Sequence, residues 1–317
     1  MSALTAKPAI IPAALTWLCR VLLLLVLTTS PAMAWNSAGH RIVAMIAWER
    51  LDKPGRQAVT AILRQHPDYD LWQLHAKGAD PDLTAFVEAA TWPDDIRQDK
   101  RFYTADIDAP TPTLDGFPDM ERRLTWHYVD RPVGPARNRL PSPGVIDRQL
   151  PALMRVLGNR RATPSERAYA LPWLIHLIGD AHQPLHTASR YAVDGQSDNG
   201  GNRVMIINPF HTRYPSMSLH RYWDDLPGPP WLRGSRVEET AALLARRYAA
   251  PNPIGTAELW LDESWQIARL AAYPAGDEEP TTISAEFHAR SREIASRRLA
   301  EAGYRLADTL RQILRED

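Results

Sequence analysis

The 317-residue chain contains a single cysteine, Cys19, and it falls in the first 34 residues. From Trp35 onward there is neither a thiol nor the possibility of a disulfide, so that part must be stabilised by its core and by any metal it binds. Net charge is also missing. Thirty-seven basic residues balance thirty-seven acidic ones, which excludes the broad basic surface that grips polyanions. Low-complexity tracts and repeats of 20–50 residues are absent, and a solenoid is excluded with them. Beyond residue 27 every apolar segment is interrupted by charge, so no membrane-spanning helix is expected there.

The chain does have a distinctive start. Residues 1–34 carry Lys7 and Arg20, no acidic side chain, the apolar run VLLLLVL (21–27) and the small-residue ending PAMA (31–34). This pattern predicts a cleaved secretory signal peptide rather than a membrane anchor. The remaining domain, 35–317, then begins at Trp35 with a formal charge of about −2. Export without disulfides points to a bacterial periplasmic or secreted protein. No membrane contact after cleavage and no protein partner is expected.

Composition is that of an ordinary globular protein, 44% hydrophobic and 23% charged. Helical periodicity runs through residues 37–51, with Ser37 as N-cap, and through 55–65, 81–92, 145–158, 164–182, 236–249, 256–271 and 284–315. Residues 104–120 read as loop, LTWHYVD (124–130) as a short extended segment, and 202–207 as a small hairpin. The expectation is a mainly α, single helical domain with long loops and at most a small β-hairpin.

Histidine is concentrated. HLIGDAHQPLH (176–186) holds three histidines and an aspartate, and SLHRYWDD (218–225) adds a second cluster. His176/Asp180 and His220/Asp224 are each spaced i, i+4, one turn apart on a helix face. Imidazole nitrogen and carboxylate oxygen are good zinc ligands. One such pair alone is most often an ion pair or a satisfied core histidine. Two pairs together with His186, GHR (39–41) and WPDDIR (92–97) favour a metal site. Glutamate is missing from these clusters, so the H-E-x-x-H helix of zinc proteases is absent.

The ordered set WNSAGH (35–40), WPDDIR (92–97), WHYVD (126–130), HLIGDAHQPLH (176–186), DNGGN (198–202) and LHRYWD (219–224) resembles the trinuclear-zinc family of single-strand-preferring nucleases, the S1/P1 nuclease type, found in fungi, plants and bacteria. That family shares its helical fold with bacterial zinc phospholipase C. The similarity extends to RLAEAGYRLADTLRQIL (298–314). The resemblance implies three Zn²⁺. One would take Asp94, His127, His176 and Asp180. A second would share Asp180 and take His40 with the amino group and carbonyl oxygen of Trp35. The third would take His186, His220 and Asp224. Three Zn²⁺ against three carboxylates leave about +3, a local attraction for phosphate in a near-neutral protein.

The resemblance further implies hydrolysis of single-stranded DNA and RNA to 5′-phosphate products, and removal of 3′-phosphates from nucleotides. Asp94 and Asp180 would belong to the catalytic centre and Arg97 would clamp the phosphate. Tyr128, a Tyr where the family usually has Phe, and Asp130 would bind an unpaired base, and Asn202 a ligand phosphate. His182 reads as a support outside the metal shell, while His66, His75, His211 and His288 lie outside the motifs. Pro93 stands in place of the family's commoner Ala. Two alternatives share the metal ligands. One is a zinc phospholipase C, although that family has Glu where this chain has Asp224 and lacks the HYVD pattern. The other is a non-catalytic exported zinc-binding protein.

Overall fold

The computed structural model describes residues 35–134, 142–276 and 279–314. The expected signal peptide and part of the 131–144 segment lie outside the described residues. Eleven α-helices and five short strands occur among the described residues, a mainly α fold as expected.

Helix α7 (Pro164–Asp180) lies at the centre. Thr163 and Glu166 form a reciprocal capping box at its start, with Pro164 and its missing N–H in the first turn. Every residue from Ala168 to Asp180 is buried, as expected of a helix that is apolar all round except for its last two ligand-type side chains. Helix α1 (Ser37–Arg50) is enclosed in the same way from Ala38 to Trp48. Its cap is Asn36, not Ser37: the Asn36 Oδ1 accepts from the N–H groups of Ala38 (3.0 Å) and Gly39 (3.3 Å). Four further helices, α2 (Lys53–Leu63), α3 (Tyr69–Gln73), α4 (Pro81–Ala89) and the single turn α5 (Trp92–Asp95), lead from α1 towards the centre. Pro93 sits in the first turn of α5, where it forfeits no helical hydrogen bond.

Helix α6 (Ile146–Gly158) packs along α7, and α8 (Leu219–Asp224), α9 (Ser235–Arg247) and α10 (Ala257–Ile267) follow. Helix α11 (Ala285–Leu314) closes the fold across α1. A Cβ on Gly303 would lie 2.5 Å from Ile46 Cβ and 3.1 Å from Val43 O, so this crossing requires glycine.

The β structure is small. β1 (Arg131–Val133) pairs in parallel with β2 (Ala188–Arg190), Arg131 opposite Ala188. β3 (Met205–Ile207) pairs antiparallel with β4 (Ser216–Ser218) and parallel with β5 (Thr281–Thr282). The hairpin expected near 202–207 therefore reaches on to residue 218. The 124–130 segment is extended only at its end, because Leu124–His127 forms a 3₁₀ turn.

Replacing Gly303 by alanine gains about 1 kcal/mol of helix propensity but forces two close-packed helices apart, at roughly 1–3 kcal/mol or more. With contacts this short the packing loss dominates. We expect Gly303→Ala to lower unfolding stability by about 1–2 kcal/mol, measured by urea denaturation, and Gly303→Val to lower it further.

Candidate metal centre

The site forms where the end of α7 meets three other segments. His176 and Asp180 project from the last two turns of α7. Asp94 comes from α5, His127 from the 3₁₀ turn, and His40 from the first turn of α1. His186 ends a second 3₁₀ turn (Pro184–His186), and His220 and Asp224 lie on α8. All eight side chains are buried, and none is more than 7% exposed.

Asp180 is the hub. Its Oδ2 lies 3.0 Å from His127 Nδ1, 3.3 Å from His176 Nε2 and 4.0 Å from His186 Nδ1, and its Oδ1 lies 3.4 Å from His40 Nε2. His176 Nε2 is also 3.1 Å from His127 Nδ1 and 3.8 Å from Asp94 Oδ1. The His40 and His176 rings stack with centroids 3.8 Å apart. Three groups result, each with donor atoms within 4.8 Å of one another: His40, Asp94 and His176; His127, His176 and Asp180; and His186, His220 and Asp224. The last is the trio expected from sequence. The first two draw on the expected residues of both other sites, with His176 common to them.

Local structure aims the imidazoles inward. His176 Nδ1 donates to Ala90 O (2.8 Å), His186 Nδ1 to His127 O (2.7 Å), and His220 Nδ1 to Gly200 O (2.7 Å). Each bond leaves Nε2 as the lone-pair nitrogen, the usual arrangement around a metal-binding histidine. The β1–β2 pairing extends the His127–His186 contact: Val129 N–H donates to His186 O (2.9 Å) and Arg131 N–H to Thr187 O (3.3 Å). The DNGGN turn has the same purpose. Gly200 has φ +59° and a Cβ there would lie 2.6 Å from Leu185 O, so only glycine brings this carbonyl up to His220.

Gln183, to which sequence reading gave no role, holds Asp224. Fully buried, it donates from Nε2 to Asp224 Oδ1 (2.8 Å) and accepts from Leu185 N–H at its own Oε1 (2.5 Å). Asp224 Oδ2 is left facing His220 Nε2 at 3.5 Å. The signal available was its place inside the histidine motif. His182 is a support, as expected. Its Nδ1 donates to Ile178 O (2.7 Å) and its Nε2 accepts from Arg305 Nη1 (2.8 Å). Arg305 and Arg298 both bind Glu263 of α10, tying α11 to the motif.

Burial and charge oppose each other here. Burial lowers the His40 imidazole to about 4 and the His127 imidazole to about 3, Arg97 adding to the second effect. Both rings are therefore neutral at neutral pH, the form that binds metal. Burial would raise the Asp180 carboxyl, but His176 and His186 hold it well below the usual range. His176 is raised despite its own burial, because Asp180 and Asp94 face it. Burial drives Asp224 well above the ordinary carboxylate value. Asp94 Oδ2, His127 Nε2 and Asp224 Oδ2 are buried without a hydrogen bond. Leaving such groups unsatisfied is costly, and divalent cations of the zinc type fit this nitrogen and oxygen donor set.

The remaining expected residues lie around this cluster. Arg97 Nη2 pairs with Asp94 Oδ1 at 3.0 Å, both side chains 5% exposed. Trp35 is fully buried, and the next residue, Asn36, donates its N–H to Asp224 O (3.1 Å). Tyr128 is half-buried. The Asp130 carboxylate accepts from Ser142 Oγ (3.1 Å) and Ser189 Oγ (2.5 Å). Asn202 donates from Nδ2 to Asn199 O (2.8 Å), within its own turn. His66, His75, His211 and His288 belong to none of the three donor groups among the described residues.

Residues 35–315 match the family described as S1/P1 Nuclease. Endonuclease 2 of Arabidopsis thaliana is 25% identical over 311 residues, which is 88% of this chain and 90% of that protein. Endonuclease 4 of the same plant is 24% identical over 319 residues, 94% of each chain. Nuclease S1 of Aspergillus oryzae is 27% identical over 164 residues, 45% of this chain and 53% of its own length. The family match covers every residue of the donor cluster, and the chain belongs to the S1/P1 nuclease family, hydrolases of phosphodiester bonds.

Proposed function

We propose that the protein is an exported, zinc-dependent phosphodiesterase that cuts single-stranded DNA and RNA to 5′-phosphate products and removes 3′-phosphates from nucleotides. The observation that carries this reading is the convergence of five imidazoles and three carboxylates from separate elements into one buried cluster, in a chain of a nuclease family. The name of the relative Nuclease S1 supports nuclease chemistry, and the leader-like residues 1–34 support export to the periplasm or medium.

Asp94, His127, His176 and Asp180 would hold one zinc. His40, Asp180 and the backbone amine and carbonyl of Trp35 would hold a second, and His186, His220 and Asp224 a third. When bound, zinc neutralises phosphate charge and lowers the pKa of coordinated water to about 7. The protein's own groups position the substrate. Arg97, pinned by Asp94, offers a planar N–H fork that matches phosphate oxygens and the charge that grows on them during displacement. Tyr128 offers a ring face to a base. Asp130 is held by two serines, yet a carboxylate has about four acceptor sites and keeps capacity for a base N–H. Asn202 keeps its side-chain oxygen and one N–H for a ligand. A base must leave the duplex to stack in this way, which accounts for single-strand preference.

The Trp35 amine couples the site to processing. A free α-amine titrates near pH 8, so a metal displaces its proton, whereas an amide within an uncleaved chain has no such lone pair.

Four measurements test this reading. Zinc-loaded wild type should hydrolyse single-stranded DNA and 3′-AMP. Hydrolysis of phosphatidylcholine instead would assign a phospholipase C, and zinc binding without turnover would leave only a zinc-binding protein. Arg97→Ala should lower kcat on single-stranded DNA by roughly 100-fold or more with zinc content retained, and Arg97→Lys should recover only part of that loss. Protein retaining residues ahead of Trp35 should bind less zinc by elemental analysis; full occupancy and activity there would refute the coupling. Gln183→Ala should weaken zinc retention at the His186, His220 and Asp224 group by about 10–100-fold in chelator competition.

A further inference from the structure

Ten tryptophans are described, and nine are buried or half-buried. Trp231 alone among them is exposed, at 73%. It lies in the segment between α8 and α9, seven residues after Asp224.

The backbone that carries it is tied down on both sides. Arg41 Nη1 donates to Pro230 O (2.9 Å), and Asn36 Nδ2 donates to Gly228 O (2.7 Å) and Asp225 Oδ1 (3.1 Å). Glu88 accepts two bonds from Arg41, both 3.0 Å, and two from Arg233, at 2.9 and 3.2 Å. Pro227, Pro229 and Pro230 restrict the chain further. An indole presented from a fixed backbone loses little entropy when a ligand covers it.

The segment is continuous with the metal centre. It starts at Asp225, next to Asp224, and returns to Arg41, next to His40. Its local charge suits a polyanion. Arg233 and Arg236 are exposed two and five residues after Trp231, and no acidic residue occurs between Asp225 and Glu238. An exposed aromatic side chain on a segment whose exposed charged side chains are arginines suits single strands bound without reading their sequence.

From this we propose that Trp231 is a stacking platform for a nucleobase of a single-stranded substrate, a few nucleotides from the scissile phosphate. The proposal rests on the nuclease reading above and adds a base-binding position to those proposed at Tyr128 and Asp130.

The test compares wild type, Trp231→Ala and Trp231→Phe, all zinc-loaded, on a single-stranded oligothymidylate and on bis(p-nitrophenyl) phosphate, a diester with no nucleobase to reach the loop. Trp231→Ala should raise KM for the oligonucleotide about tenfold with kcat retained. Trp231→Phe should restore most of the affinity, and the small diester should be cleaved equally by all three. An unchanged oligonucleotide KM in Trp231→Ala would overturn the proposal. So would equal losses on both substrates, which would mark a structural role, or a dimer in wild type that Trp231→Ala dissolves without altering that KM. Failure of wild type to cleave either substrate would overturn the nuclease reading itself, and is distinguishable because it precedes any comparison of variants.

Discussion

The structure depends on Asp180, a carboxylate sealed from solvent in the last turn of a central helix and faced by four imidazoles. Its position is electrostatically poor in two ways. Burial penalises its charge, and the negative end of the helix dipole lies close by. The histidines relieve part of this: His176 and His186 hold Asp180 down, and Asp180 and Asp94 in turn raise His176. Asp94 and Asp224 bring two more carboxylates into the same buried volume, and burial drives the Asp224 carboxyl well above the ordinary carboxylate range. A set of donors this dense is best satisfied by divalent cations, each of which binds oxygen and neutral imidazole nitrogen together.

Much of the surrounding fold serves to aim these groups. Backbone carbonyls of Ala90, His127 and Gly200 take the outer N–H of three histidines. Gln183 spends its whole amide on fixing Asp224 and turning the chain at Leu185. Further out, Arg298 and Arg305 bind Glu263 and reach His182, so the long C-terminal helix braces the motif with paired rather than isolated buried charge. On the other side Asn36 caps α1, binds the segment after α8 and donates its own N–H to the carbonyl of Asp224. The residue that follows Trp35 thus also caps the helix that carries His40.

Function follows from the contrast between the whole molecule and this one region. A chain with no formal net charge has no long-range hold on a polyanion. Attraction must arise locally, and the donor groups that could hold metal ions and the few guanidinium groups around them are the places for it. Arg97 is buried against Asp94, while Arg233 and Arg236 lie on an exposed segment beside Trp231. Stacking on aromatic faces supplies affinity that needs no sequence information and is open only to unpaired bases.

The helices and the donor residues could be read from sequence because both follow local rules. Apolar periodicity marks α1, α7 and α11, and i, i+4 spacing places His176 with Asp180 and His220 with Asp224 whatever the rest of the chain does. Structure departs from these local rules where a tertiary contact sets the local geometry. Asn36 displaced Ser37 as the cap because its amide also binds Gly228. LTWH became a 3₁₀ turn, followed by strand pairing that lays His127 against His186. The role of Gln183 was invisible because its partner lies 41 residues away. Sequence alone determined which chemical groups are present and which neighbours share a helix face. Only the tertiary structure decided which imidazole nitrogen points inward, how the donors divide into three groups and that Trp231 stays in solvent, because each of these is set by contacts between segments far apart in the chain.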